Sequence, residues 1–326
     1  MCADKKYYIG VDIGGTKCAV TLACSDGEAI EFLEKDYYPT EGYEKTIAKI
    51  EESVRKFSKE KSISSIGVSC GSPLDAENGI ILSPPNLPGW DEVRIKDMFE
   101  KEFGIGTYLE NDANACAMAE HKFGAGKGSV NMVFLTFGTG FGAGLILNGK
   151  LYRGTSGYAG EIGHVRLEHT GPVGYGKEGS CEGFCSGGGL SKIASEKVKK
   201  AMSEGKKVSF CNSVEEADRI SAKAVAMAAK EGDELAIEIY SECGRNLGRA
   251  VSILMDVINP DTVVIGSIFE RSEELLRPEM EKAIEKEALL YTRSVCKVKK
   301  AELGDRIGDY AAISIAIEGD MDHGNS

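Results

Sequence analysis

Asp12-Ile13-Gly14-Gly15-Thr16-Lys17 lies directly behind an apolar run that begins at Tyr7. The same arrangement returns far downstream, where Thr136-Phe137-Gly138-Thr139-Gly140 closes a run from Val130. Glycine lets the backbone approach an anion and point several N–H groups at it, while threonine hydroxyls add donors without bulk. Two such loops in one chain read as two jaws around one polyphosphate, which makes a phosphate-handling enzyme the starting expectation.

Working outward from the first loop, alternating residues predict strands at 7–12, 17–24 and 29–37, with Ser25-Asp26-Gly27 turning the second into the third. A helical pattern at 43–59, a strand at 65–70, a helix at 91–103 and a short strand at 106–110 complete a mixed sheet flanked by helices. From Val130 the order repeats: strand, glycine loop, strand at 142–147, the Asn148-Gly149 turn and a short strand at 151–153. A long insertion then carries helices near 190–203, 214–230 and 233–258, before strands at 262–265 and 295–300. The recurrence of one loop in one strand context is a stronger signal than either loop alone.

Gly138, Gly140 and Ala143 also satisfy a loose dinucleotide fingerprint, with Glu161 near the place of a ribose acid. That motif must open a helix, whereas Leu145-Ile146-Leu147 and an Asn-Gly turn follow here. Gly126-Lys127 is followed by Gly128 and not by the Ser or Thr of a Walker loop. The remaining plain reading is that the glycines only make tight hairpins.

The 326 residues suit two domains around a cleft, and 42% hydrophobic with 28% charged residues is ordinary for a folded chain, with an irregular tail expected only over 321–326. A net charge of −12 opposes nonspecific attraction to nucleic acid. No apolar stretch reaches the roughly 18 residues of a spanning helix, and no signal-peptide core follows Met1, so a cytoplasmic protein with no membrane partner is expected. Ten cysteines scattered through mostly apolar segments read as reduced thiols without a structural disulfide.

With these residues in view, the chain closely resembles the ROK family of bacterial sugar kinases and repressors. The resemblance rests on DIGGTK at 12–17, PNLPGW at 85–90, ENDAN at 110–114, FGAGKG at 123–128, LTFGTGFGAG at 135–144 and AGEIGH at 159–164, six motifs in the family's order. It implies an α/β fold of two actin-like, hexokinase-like (ribonuclease H-like) ATPase domains. The expected first domain is 1–114, completed by a C-terminal helix about 306–320, and the second is 115–305 with a helical insertion about 186–259.

The implied reaction is ATP-dependent phosphorylation of a hexose or N-acyl hexosamine, usually on the 6-hydroxyl, with glucose and N-acetylmannosamine as the leading sugars. Phosphoryl transfer needs donors and Mg2+ around the polyphosphate and a carboxylate to accept the hydroxyl proton. By resemblance Asp112 is that catalytic base, although an Asp where a strand hands over to a helix also serves as an N-cap. Gly71, Asn111, Glu161, His164 and Glu182 are the implied sugar contacts. Asp12 would orient water on the magnesium, and Gly14, Gly15, Thr16, Gly138, Thr139 and Gly140 would meet phosphate oxygens. Lys17 points either to phosphate or outward. Gly266 falls where the family contacts the nucleoside, though Ser267 and Ile268 replace the usual further glycines. Family members are commonly homodimers or homotetramers.

Many relatives carry a zinc knuckle of the form C-x-C-G-x-x-G-C-x-E after the histidine. Here Val173, Tyr175 and Ser180 stand at its thiolate positions. Valine and neutral hydroxyls cannot replace Zn–S bonds, so no structural zinc is expected, and Tyr175 is a candidate to order His164 instead. Cys181, Cys185, His164 and His169 form an alternative metal set of unfamiliar spacing. A sugar-sensing regulator of the same family is the second class of function weighed, and a noncatalytic sugar-binding protein the third.

Overall fold

The computed structural model describes residues 5–324. The chain forms two compact units. The first runs to Gly128, takes in Gly154–Gly157 and is completed from Asp305 onward, and the second holds Ser129–Arg153 and Tyr158–Gly304.

In the first unit, β1 (Lys6–Ile13), β2 (Lys17–Ser25) and β3 (Ile30–Pro39) form an antiparallel meander. After α1 (Tyr43–Ser58), β4 (Ile63–Cys70) joins β1 in parallel, and beyond it lies β8 (Thr107–Asn111), giving the order β3-β2-β1-β4-β8. Between them sit a small three-stranded sheet, β5 (Leu74–Asp75), β6 (Ile80–Ile81) and β7 (Val93–Arg94), and helix α2 (Ile95–Phe103). The Pro85–Trp90 segment anchors here, with the Trp90 side chain fully buried against Tyr43 at a 5.3 Å ring separation.

Helix α3 (Asp112–Phe123) follows β8 and packs against the last helix of the chain, Ile307–Gly324. That packing carries the unit through Gly128, beyond the boundary at 114 expected from the sequence. The last helix also lies across β1 and β4, where two glycines admit it. A Cβ on Gly10 would stand 2.9 Å from Ala312 Cβ, and one on Gly67 would collide with the Ala312 carbonyl and the Ala316 N–H. The helix reaches Gly324, so the irregular tail expected at 321–326 does not begin at Met321; Asn325 and Ser326 lie outside the described residues.

The second unit repeats the first sheet. β9 (Met132–Phe137), β10 (Phe141–Leu147) and β11 (Lys150–Leu151) are antiparallel, and β14 (Thr262–Ile265) and β15 (Lys297–Lys300) add in parallel, in the order β11-β10-β9-β14-β15. The insertion supplies a hairpin, β12 (Val173–Gly174) with β13 (Lys177–Glu178), then α4 (Cys181–Phe184), α5 (Gly187–Ser203), α6 (Ala222–Lys230) and α7 (Glu234–Ile258). Helix α8 (Ile268–Glu287) and the short α9 (Leu290–Val295) stand between β14 and β15.

The single helix expected at 214–230 is instead a 3-10 turn, Val214–Arg219, and then α6. The break falls where Ser221 turns extended and its side chain accepts from the Ala224 N–H, an N-cap that starts a new helix. Conversely, α5 begins at Gly187 and not near 190, because Ser186 caps it through the Gly189 N–H despite three successive glycines. The core of this unit gathers β9, β10 and β14 with α5 to α8, including fully buried Leu190, Val225, Leu247 and Phe269.

Candidate functional site

In each unit the residues of interest stand at the carboxyl ends of the parallel strands, where open α/β sheets place their ligands. In the first unit, β1 ends at Asp12 and Ile13, β4 at Cys70 beside Gly71, and β8 at Asn111 beside Asp112. The ladders align Ile13 with Cys70 and Cys70 with Asn111. In the second, β9 ends before Gly138 and β14 before Gly266.

The first loop is closed by the Gly14 N–H donating to the Lys17 carbonyl at 3.0 Å, while Thr40 Oγ1 donates to the Gly14 carbonyl at 2.6 Å. Among the described residues, the N–H groups of Gly15 and Thr16 donate to no protein acceptor. Gly15 is required by contact: an added Cβ would lie 2.6 Å from the Asn86 carbonyl oxygen. Gly71 lies near the same Asn86 side chain, which would stand 3.5 Å from a Cβ there. Asn86 therefore connects two of the expected site residues, and the signal for it was the Pro85–Trp90 motif, to which the sequence reading assigned no side-chain role. Lys17 is exposed, and its ammonium lies over the Tyr37 ring at 5.7 Å while remaining close enough to Asp12 to favour its ionised form.

Asp12 is a strongly perturbed carboxylate. Burial, then the negative charges of Asp112 and Asp309, raise its pKa from 3.8 to about 6 against the opposing pull of Lys35 and Lys17. The first turn of the last helix abuts it, since a Cβ on Gly308 would be 2.6 Å from Asp12 Oδ2. Asp309 is itself occupied by Thr21 Oγ1 at 2.9 Å and Lys35 Nζ at 2.7 Å.

Asn111, not Asp112, is the N-cap of α3: its side chain accepts from the Asn114 N–H at 2.9 Å. Buried Glu110 holds this turn by accepting from the Asn111 N–H and from Asn114 Nδ2, at 3.0 and 2.9 Å. Asp112 is thereby released from capping. Its side chain retains an open face, yet protein crowds it on the others, and that desolvation raises its carboxyl above the ordinary aspartate range despite the Ala113 N–H.

The second loop closes differently. The Gly138 N–H donates to the Gly140 carbonyl at 3.1 Å, and the start of α5 returns to the loop, with the Gly187 N–H on the Gly138 carbonyl at 2.8 Å. Thr139 and Gly140 N–H groups donate to no acceptor among the described residues. Glu182, on α4, accepts from the Phe141 N–H at 3.2 Å, and its Oε2 would be 2.9 Å from a Cβ on Gly140. Glu161 and His164 bracket a 3-10 turn, Ile162–His164, whose Gly163 packs on the Phe141 carbonyl and Glu182 Cβ. Glu161, His164 and Glu182 thus share one neighbourhood with the loop. Gly266 sits beside Phe134, and Ser267 takes a left-handed φ of 61° with its Oγ 3.7 Å from where a Gly138 Cβ would be. A serine held in that conformation stores strain next to the loop.

At the knuckle positions, Val173 opens the β12–β13 hairpin and Tyr175 turns it with a φ of 41°. Ser180 caps α4 through the Gly183 N–H at 3.2 Å. Lys177 Nζ donates to the His164 carbonyl at 2.7 Å, and the Tyr175 ring stands edge-on to His164 at 6.5 Å. Among the described residues no cluster of three or more His, Cys, Asp or Glu is arranged to hold a metal, and the nine described cysteines form no disulfide with one another.

Duplicated five-stranded sheets, each with a glycine loop that leaves two N–H groups without an acceptor among the described residues, define an α/β protein of two like halves. The chain belongs to the ROK family, whose profile it matches over residues 8–318. It is 36% identical over 273 residues to a glucokinase from Thermotoga maritima, covering 83% of this chain and 85% of that one. A crystal structure of a ROK family glucokinase from Streptomyces griseus in complex with glucose and AMPPNP superposes with a TM-score of 0.75 at 28% identity, over 96% of this chain and 99% of that one. A xylose repressor from Caldicellulosiruptor bescii is 29% identical across 96% of this chain and 79% of its own length.

Proposed function

We propose that this protein is an ATP-dependent glucose kinase that transfers the γ-phosphoryl group to the sugar 6-hydroxyl. The observation that carries the reading is Asp112. It stands at the end of β8 beside a capping Asn111, freed from the cap itself and raised in pKa, within a chain 36% identical to a glucokinase. A carboxylate above its ordinary pKa is a better proton acceptor near neutrality.

In this reading Asp112 accepts the proton of the attacking hydroxyl. Asn111, whose Oδ1 is engaged by Asn114, offers its amide N–H groups to the sugar. Glu161, His164 and Glu182 take further hydroxyls, and the Lys177 tie on the His164 carbonyl keeps that turn in place. A buried hydrogen-bonding group left unpaired costs about 1 to 3 kcal/mol, so such a set rewards the matching sugar and penalises others. The free N–H groups of Gly15, Thr16, Thr139 and Gly140 receive phosphate oxygens, while Gly266 and Ser267 border the nucleoside. Lys17 screens the negative charge at Asp12.

The residues fit a magnesium ion that arrives with the nucleotide. Asp12 is a hard oxygen ligand crowded by two other carboxylates, and among the described residues no protein cage surrounds it, as suits an ion held largely by water and phosphate. When bound, Mg2+ neutralises charge on the transferring group. The mostly buried cysteines suit a reducing, cytoplasmic setting, and the net charge of −12 favours small-molecule partners over nucleic acid.

A coupled ADP-release screen over glucose, mannose, fructose, allose, N-acetylglucosamine and N-acetylmannosamine tests this. ADP release is expected above the sugar-free rate, greatest with glucose. No stimulation by any sugar removes the kinase reading, and a higher kcat/KM for N-acetylmannosamine moves the substrate to the acylated hexosamines. The similarity to a xylose repressor favours a sugar-sensing regulator as the second reading, which sequence-specific retardation of DNA in a mobility-shift assay would support.

A further inference from the structure

Over 164–170 every residue but Leu167 is exposed, and Leu167 is half-buried against the core of the second unit. So little apolar burial does not by itself fix a backbone. What holds this stretch is polar. The Leu167 and Glu168 N–H groups both donate to the Gly179 carbonyl, at 2.8 and 3.1 Å, and the Cys181 N–H donates to the Val165 carbonyl at 2.8 Å. These bonds join it to the β12–β13 hairpin and α4 as one strap.

Arg249 ties the strap to the long core helix α7. Its Nη2 donates to the Leu167 carbonyl at 2.9 Å, and its Nη1 donates to Glu168 Oε1 at 2.6 Å and to Asn246 Oδ1 at 3.2 Å. Grooves of about 430 and 460 Å³ both have Arg249 in their walls, one beside Leu167 and Ile253 and the other beside Pro172 and Arg245. The guanidinium is thus a strut between two open spaces. Two further cations grip carbonyls of the strap, Lys192 Nζ at Val173 and Lys177 Nζ at His164, at 2.5 and 2.7 Å. Tyr175, the candidate expected to order His164, is 77% exposed and meets its ring edge-on at 6.5 Å, a contact that does not restrain the backbone.

We infer that Arg249 is a positioning residue of the sugar site, clamping Leu167 and Glu168 to α7 and so fixing the turn that ends in His164. The inference rests on the reading above that His164 meets a sugar hydroxyl. Arginine suits the task because its planar fork engages two acceptors at once, and its bond to Glu168 is charge-assisted. A lysine, with one compact charge on a flexible stem, would keep part of the clamp.

Arg249→Met retains the apolar stem and removes every donor. In a glucose-dependent ADP-release assay its glucose KM should rise about 10-fold or more, with KM for ATP within about 2-fold and kcat within about 3-fold of wild type. Arg249→Lys should fall between the two, and carries the same readouts if the methionine variant does not fold. A purely structural role would lower the melting temperature and leave both KM values in place. Amide exchange over 164–171 in sugar-free protein should speed up about 10-fold in Arg249→Met while α7 exchanges as in wild type. This readout tests the clamp whether or not the chain phosphorylates sugar: a wild type without sugar-stimulated ADP release removes the kinase reading, and exchange then decides the clamp. Unchanged exchange overturns the inference. Faster exchange in an active enzyme whose glucose KM does not move overturns it too, as does an equal rise in both KM values.

Discussion

The two glycine loops have the same strand context and the same count of N–H groups without an acceptor among the described residues, but different neighbours. The loop at Gly14–Thr16 is preceded by a half-buried carboxylate, Asp12, and covered by Asn86. The loop at Gly138–Gly140 has no carboxylate within its turn and is braced by the start of α5 and by Glu182. Duplication has kept the anion-facing backbone and divided the remaining chemistry. In the proposed reading, one copy carries Asp12 and Asp112 for the metal and the proton, and the other carries Glu161, His164 and Glu182 for further sugar hydroxyls. The division extends to the strand ends, since Asp112 follows β8 whereas Ala301 follows β15 at the matching place in the second sheet.

The sharpest break of this comparison is Asp112→Asn. Turnover should fall about 10²–10⁴-fold while sugar affinity, read by calorimetry, stays nearly constant. Unchanged turnover would move the proton acceptor elsewhere.

Asp12→Asn tests the claim that the first loop is the charged one. Turnover at saturating Mg–ATP should fall about 100-fold, and the wild-type rate should decline as pH drops through about 6, where Asp12 takes up its proton. The stability effect has the opposite sign. Because the folded pKa is raised from 3.8 to about 6, the ionised form is penalised in the fold, fully above pH 6 and progressively less as pH falls toward 3.8. The amide variant should therefore be more stable at pH 8 by on the order of 2 kcal/mol in nucleotide-free protein, with the gap closing near pH 4. Denaturant melts at the two pH values check this, and an equal gap at both would refute the assignment.

Gly15→Ala and Gly140→Ala sharpen the comparison at the smallest scale. At Gly15 the new methyl meets the Asn86 backbone, which cannot swing aside, and KM for ATP should rise roughly 10-fold or more, a cost of 1–3 kcal/mol. At Gly140 it meets the end of the Glu182 side chain, which can rotate away, so the change should stay within about 5-fold and appear partly in the sugar KM. Equal effects on both would mean that the two loops are held alike.

Much of this division was legible in the order of residues. Long alternating runs gave the meanders, their glycine loops and the repeat, because strand periodicity and turn chemistry are local. The small sheet of Leu74–Asp75, Ile80–Ile81 and Val93–Arg94 was not legible, since two-residue strands carry no period. The break before α6 was missed because an alanine-rich helical pattern masked a single capping serine. Within the site, Asp112 was visible but its release from capping was not: that depends on Glu110 and Asn114 meeting through the fold. Asn86 and Lys177 escaped notice for the same reason, as each acts through a backbone carbonyl or a glycine distant in sequence.

The last helix, seated against Gly10 and Gly67, has a consequence for biosynthesis. Most of the first unit leaves the ribosome early, but its sheet stays uncovered on one face until residues beyond 305 emerge. The downstream unit, contiguous but for Gly154–Gly157, is fully translated before its predecessor can close. Order of synthesis and order of completion are therefore reversed in this chain, and a released chain truncated after Gly304 should show a protease-resistant second unit beside a protease-sensitive first one.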